Sequence, residues 1–252
     1  MTAPVFVLDD LGSVAPGHVV VLAGSEGRHA VSSLRLNAGE DVDLVDGRGR
    51  RAGGVIEAID GDRVARVLIR DVSDESAPAP RVIVVQALPK GERGERAVEL
   101  LTEVGVDVIV PWAARNCVTQ WKGERAHRGH RKWLDAAHAA AKQSRRARFP
   151  EVTEVSSTAD VIARVATADL VLLLHEEATD PIGSMALPAE GDILVIVGPE
   201  GGVSPDEVAA LEAAGATSVQ LGPTVLRTSS AGMAAVAVLL AQTARWGGRM
   251  RP

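Results

Sequence analysis

The stretch from Asp192 to Val236, DILVIVGPEGGVSPDEVAALEAAGATSVQLGPTVLRTSSAGMAAV, leaves few folds open to the chain. The run Ile193 to Val197 has the length and β-branched content of a buried strand. Gly198-Pro199-Glu200-Gly201-Gly202 follows it, and then a helix with a specific start signal. Ser204 is placed to cap that helix, Pro205 suits its first position, and Glu207 stands where a capping box needs its return acceptor. Gly215 supplies the left-handed residue that ends it. A second strand, Thr217 to Leu221, leads into a second glycine-containing loop and a broadly apolar helix, Ser229 to Trp246. Two loops therefore leave the carboxyl ends of successive strands, the edge at which open α/β sheets bind ligands. They do not form a dinucleotide fingerprint, because neither the G-x-G-x-x-G spacing nor the acidic residue ~20 positions later is present.

The same rhythm reaches back to Arg81. Arg81 to Leu88 reads as a strand, Gly94 to Val104 as a helix stopped by Gly105, and Val106 to Val110 as a strand ended by Pro111. Arg131 to Ser144 reads as a helix and Asp169 to His175 as another buried strand. Alternation of this kind predicts a mostly parallel sheet covered on both faces. Residues 1 to about 75 differ: Val19 to Leu22, Asp41 to Val45, Ala52 to Ile59 and Arg63 to Ile69 are short runs separated by glycine turns, with a helix from Gly27 to Leu36. Closely spaced strands predict a small β-barrel. DVSDESAPAP, residues 71 to 80, has a linker's composition. The expected organisation is an amino-terminal domain over 1–72, a linker over 73–80 and an α/β domain over 81–252.

Charge is unevenly spread. The chain carries −6 overall, yet between Arg115 and Arg148 ten basic residues stand against two acids. Such asymmetry predicts a basic surface for a polyanion, with a solvated helix face as the alternative. Only four Trp and two Phe are present, which argues against a single-stranded nucleic-acid platform built of many rings. The lone Cys117 excludes a disulfide framework or thiolate cluster and reads as a buried small hydrophobe. His127, His130 and His138 lack a carboxylate or Cys at ligand spacing, so no metal is expected. No apolar run approaches a membrane span and the first residues lack a signal peptide's regions, so a cytoplasmic protein without membrane contact is expected.

GPEGGVSPDEV followed by LGPTVLRTSSAGMAAVAVL resembles the carboxyl-terminal signature of the SPOUT methyltransferases, in particular the family that methylates N3 of a uridine in 16S ribosomal RNA. HAVSSLRLNAGEDVDLVDG is similar to that family's PUA-like RNA-binding domain. The resemblance implies a trefoil-knotted α/β domain that holds S-adenosylmethionine, a homodimer, and 16S ribosomal RNA or the small subunit as partner. For the methyl donor it implies Leu174, His175, Glu176, Gly198, Pro199, Glu200, Gly201, Gly202, Leu221, Gly222, Leu226, Thr228 and Ser230. Because uridine N3 carries a proton at neutral pH, a fixed guanidinium makes Arg227 the first candidate to stabilise the developing anion, and Glu200 is the nearest candidate base. Arg28, Arg35, Lys90, Arg93, Gln143, Arg145, Arg146 and Arg148 are implied as RNA contacts, with Arg48, Arg50 and Arg51 as further phosphate ligands. One departure stands out: much of the family has Thr-Glu-Thr after the arginine, where this chain has Thr228-Ser229-Ser230. Transfer to a ribose 2′-OH, whose hallmark would be an asparagine where Pro89-Lys90-Gly91 stands, and a non-catalytic RNA-binding or assembly role remain as alternatives.

Overall fold

In the computed structural model, which describes residues 3–247, the chain forms two compact units. The first comprises the residues up to Ala77 together with Ala141–Phe149, the second the remainder. No helix among the described residues is long and apolar enough to cross a membrane.

The first unit is built on a five-stranded sheet of β1 (Val5–Val7), β2 (Val19–Leu22), β3 (Asp41–Val45), β4 (Arg50–Asp60) and β5 (Val64–Asp74), in the order β1-β3-β4-β5-β2. Only the β1–β3 pair is parallel. Alternation along the strands turns Phe6, Leu22, Leu44, Ile56 and Ile69 into one core, as a half-buried sheet requires. A short helix α1 (Gly24–Arg28) continues into a π-helical turn over His29–Ser33, where sequence periodicity had suggested one helix to Leu36. β5 runs on through Asp74, where Arg50 pairs with it, so the first two residues of the expected linker are strand. Ala141–Phe149 joins this unit through Gly49 N–H donating to the Ala147 carbonyl, Phe149 N–H to that of Gly47, and Lys142 Nζ to Glu26 at 2.6 Å.

The second unit is a six-stranded, all-parallel sheet. Along the chain it contains β6 (Arg81–Ala87), α2 (Arg93–Val104), β7 (Val108–Trp112), α3 (Glu124–Gln143), β8 (Glu151–Val152), α4 (Thr158–Val165), β9 (Leu170–Leu174), β10 (Asp192–Val197), α5 (Pro205–Ala213), β11 (Thr217–Val219), α6 (Thr228–Leu240) and α7 (Ala244–Gly247). From Ala141 onward, α3 falls in the first unit. Strand order is β11-β9-β10-β6-β7-β8. The central strands are buried on both faces and read as near-continuous Val/Ile/Leu. Truncating Leu172 or Leu101, both fully buried, should cost about 2–5 kcal/mol.

Three expectations need correcting. The helix expected over Ser229–Trp246 stops at Leu240, and α7 is a separate short helix after it. Pro111 does not end its strand; it pairs with Gln86 inside β7. The missing N–H is tolerated because β8 has stopped at Val152, and Pro111 on that side only accepts, from Ser156 N–H at 2.8 Å. And α3 begins at Glu124, about two turns before the expected start at Arg131.

Topology then places the site. Helix α6 packs on α2 and on β10 and β6, and Gly232 makes the approach possible: a Cβ there would stand 3.0 Å from Leu101 and 3.3 Å from Val197. The β9–β10 connection crosses α6 with Ile182 buried, and it is laced to the residue after β11, since Gln220 N–H donates to the Asp180 carbonyl and Ile182 N–H to that of Gln220. At the opposite end of the strands Arg245 of α7 makes a two-pronged ion pair with Asp107 at 2.6 and 3.1 Å and also donates to the Pro80 and Gly105 carbonyls.

Candidate active site

The carboxyl ends of β9, β10 and β11 stop beside one another in the parallel register, and their three following loops enclose a cavity of about 720 Å³. That volume lies within the roughly 300–1,000 Å³ usual for small-molecule sites. One wall is Leu174, His175 and Glu176, leaving β9. A second is Gly198-Pro199-Glu200-Gly201-Gly202, leaving β10. The third runs from Leu221 and Gly222 through Leu226 and Arg227 to Thr228, the first residue of α6. Of the residues singled out for the methyl donor, only Ser230 lies off this lining; its hydroxyl donates to the Arg227 carbonyl at 3.2 Å. Val203, Gln220 and Val225 also line the cavity and carried no signal in the sequence.

The β10 wall is held by distant partners. Asn116, in the loop after β7, donates through Nδ2 to the carbonyls of Gly201 and Gly202 at 3.3 and 3.0 Å. Glu200 accepts on one carboxylate oxygen from Lys90 N–H at 3.1 Å and Arg93 Nη1 at 3.3 Å. Lys90 lies in the segment between β6 and α2 and Arg93 is the first residue of α2, so that segment and the start of the helix are tied to the glycine loop.

Behind it lies a group whose full role no local pattern shows. The capping box of α5 is present as read, with Ser204 and Glu207 bonded reciprocally. The buried Glu207 carboxylate accepts in addition from Arg115 N–H at 2.9 Å and Thr158 Oγ1 at 2.8 Å. Desolvation opposes its ionisation, but the bonds from Arg115, Ser204 and Thr158 outweigh it and hold the carboxyl below the usual range. One buried charge thus joins α5, α4 and the β7–α3 loop. Nearby, burial pushes the Cys117 thiol up, as suits an inert core residue.

The third wall is open. Val225 is 78% exposed and Leu226 40%. Arg227 is exposed, and among the described residues its guanidinium has no hydrogen-bond or ion-pair partner. Its backbone carbonyl starts α6 by accepting from Ser230 and Ala231.

The basic residues are dispersed. Arg28 and Arg35 of the first unit are exposed, Arg35 with φ 56°, while Gln143 is exposed at the end of α3. Arg145 is exposed with φ 58° and its carbonyl accepts from Arg51. Arg146 donates to the Arg148 carbonyl and Arg148 to that of Glu75. Arg50 and Arg51 are spent within the unit, on Asp74 and Asp43, and Arg48 on the Asp9 carbonyl. No group of three or more His, Cys, Asp or Glu suited to a metal occurs among the described residues.

Known proteins share this arrangement. The model of the RNA methyltransferase domain matches residues 75–240, and that of the RNA methyltransferase PUA domain residues 22–68. Ribosomal RNA small subunit methyltransferase E of Mycobacterium tuberculosis (strain CDC 1551 / Oshkosh) is 47% identical over 98% of this chain and 94% of its own length. A methyltransferase from Legionella pneumophila, solved with its cofactor SAM bound, superposes with a TM-score of 0.83 at 28% identity, over 96% of this chain and 99% of that one. The ribosomal RNA small subunit methyltransferase E of Neisseria gonorrhoeae, solved with S-adenosyl methionine, shares the fold at a TM-score of 0.83 and 24% identity, over 96% and 98%. With a parallel sheet whose loops close on one cavity and a relative near half identical along its whole length, the chain belongs to the ribosomal RNA small subunit methyltransferase E family, RNA methyltransferases with a SPOUT α/β domain and an amino-terminal PUA-like domain.

Proposed function

We propose that the chain transfers the methyl group of S-adenosylmethionine to N3 of a uridine in 16S ribosomal RNA. The observation that carries the reading is the meeting of three strand-end loops around one cavity of about 720 Å³, with an arginine at its edge whose guanidinium has no partner among the described residues. The residues fit the donor. Gly222 lines the cavity, and the position of a Cβ on it is empty space to 4 Å, so the backbone there is open to close approach by a ligand. Backbone groups of Gly198, Leu221, Gly222 and Leu226 would hold the adenine and ribose, with Leu174 and Gly201 beside them.

S-Adenosylmethionine supplies an electrophilic methyl on a sulfonium, so little covalent chemistry falls to the protein and positioning and electrostatics carry the acceleration. Uridine N3 bears a proton at neutral pH. A guanidinium beside the imide oxygen favours its anionic form, and Arg227 is assigned that role. Glu200, already accepting from Lys90 and Arg93 on one oxygen, holds these two residues against the glycine loop and is the nearest candidate base. Arg28, Arg35, Gln143, Arg145, Arg146 and Arg148 would supply substrate contacts that fix register without reading sequence. The enzyme would act as a homodimer through α6, whose Val238 is exposed, on rRNA or the small subunit in the cytoplasm.

Small subunits from cells lacking the gene, incubated with the purified protein and labelled donor, should gain one methyl per particle, mapped by mass to uridine N3. Donor binding by calorimetry with no transfer to any RNA would leave only a non-catalytic role. A methyl mapped to a ribose would move the acceptor.

A further inference from the structure

Beside the Pro89–Arg93 segment lies a second groove, of about 580 Å³, bounded by that segment, by residues 118–121 and by one face of α3. Two of the chain's four Trp meet there. The Trp121 and Trp133 rings stand edge to face, 5.1 Å apart at 72°. Gly129 of α3 lies under the Trp121 indole so closely that a Cβ would run into the ring, which fixes the indole along the helix at no further entropic cost on binding. Arg125, Arg128 and Lys132 share that helix face with Gly129, at i, i+3 and i+7. Lys132 faces Glu95 at 3.6 Å. Arg125 and Arg128 are exposed, line the groove, and have no side-chain partner among the described residues.

We propose that this groove is a subsite for single-stranded RNA flanking the target nucleotide: one base stacks on the Trp121 indole while Arg125 and Arg128 hold the adjoining phosphates. A preset aromatic face beside unpaired guanidinium groups is the combination that binds a nucleotide without reading its sequence. A ring-poor chain excludes a platform of many stacked bases and leaves room for one. The strand's course follows from a shared wall. Pro89 and Gly91 line the groove, whereas Lys90 N–H and Arg93 reach Glu200 at the first cavity, and Thr119 Oγ1 donates to the Pro89 carbonyl at 2.6 Å. A strand with its target base at the first cavity reaches the groove by crossing that one segment.

The subsite rests on the RNA reading above, and the test separates the two. Methyl transfer to small subunits from cells lacking the gene is measured for wild type, Trp121→Ala, Trp121→Phe and the double variant Arg125→Glu/Arg128→Glu, with calorimetry of the donor and anisotropy of a fluorescein-labelled oligouridylate alongside. For Trp121→Ala and the double variant, KM for the subunit should rise about ten-fold or more while kcat and donor affinity stay within about two-fold. Trp121→Phe should recover most of the loss. Loss of two phosphate contacts should make the salt dependence of oligouridylate binding shallower by about 1.4 log units per decade. An unchanged KM and salt slope in the double variant, whose side chains are exposed and do not hold the fold, would overturn the subsite even if Trp121→Ala proves unstable. A double variant that loses the dimer on sedimentation would also overturn it, making the face a contact for a second copy. If wild type itself methylates no RNA, the functional reading falls and the subsite with it.

Discussion

Two walls of the same cavity are made in opposite ways. The loop after β10 is tied from outside by Asn116, by Lys90 and Arg93 through Glu200, and from behind by the Glu207 hub. The loop after β11 offers Val225 and Leu226 to solvent, and among the described residues Arg227 has no side-chain partner. Preorganisation belongs where a ligand's fixed parts must be received, because groups ordered in advance cost nothing at binding. An open wall belongs where a second, larger substrate must enter. The difference therefore assigns shape to the β10 loop and chemistry to the β11 loop, and each substitution below presses on that division.

The largest effect is expected at Arg227. Arg227→Ala should lower kcat about 10²–10³-fold, the loss usual for one group aimed at a developing oxyanion, with midpoint of unfolding and donor affinity unchanged. Arg227→Lys should recover only part, since an ammonium cannot match the planar fork. Activity retained in Arg227→Ala, measured as methyl incorporated per subunit, would return the chemistry to the other wall.

Next comes Glu207, on the braced side. Glu207→Ala leaves the Arg115 N–H and the Thr158 and Ser204 donors without their acceptor, at a cost of about 1–3 kcal/mol in urea unfolding. The sign with pH follows from its lowered folded-state pKa. The contribution is fully present above the unfolded value, about 4.3, and is lost as pH falls through the lower folded value. Glu207→Gln should therefore show a shallower acid limb below about pH 4 than wild type. Identical acid limbs would mean that the carboxylate is not the charge that matters there.

Gly222→Ala sharpens the contrast from the open side. Its Cβ would meet no protein atom within 4 Å, so stability should hold within about 0.5 kcal/mol. Yet the methyl would occupy space lining the cavity, and donor binding by calorimetry should weaken by roughly ten-fold, the scale set by overfilling a packed contact. A variant with full donor affinity would place the ligand away from this loop.

How much of this was readable in advance depends on how far apart the partners are in sequence. The α5 start was legible because Ser204, Pro205 and Glu207 lie within four residues and each has a local physical task. Glu207's bonds to Arg115 and Thr158 span 92 and 49 residues, and nothing near Glu207 encodes them. Likewise Asn116 reads as an ordinary loop residue until the fold brings Gly202 to it. Periodicity marked most strands of both units but passed over Val5–Val7 and Glu151–Val152, too short for a pattern, and took Pro111 as a strand end because the early stop of β8 is a property of the neighbour. The linker composition of residues 71–80 was clear, whereas the return of Ala141–Phe149 to the first unit depends on backbone bonds to Gly47 and Gly49 that no side chain announces.

Asn116→Ala is the mildest test and the most direct one of bracing. Its amide donates to carbonyls of two exposed glycines, which water can satisfy once the side chain is gone, so the stability cost should stay near the low end of about 0.5–1.5 kcal/mol. If the brace only adds stability, donor affinity should fall by no more than that loss allows, which for a protein still fully folded is nothing. If it shapes the β10 loop before the ligand arrives, the freed loop must be ordered at binding and affinity should drop several-fold while the fold persists. Calorimetry of the donor with Asn116→Ala, read beside its urea midpoint, tells these apart. An affinity equal to wild type would make the β10 wall no more preorganised than the β11 wall.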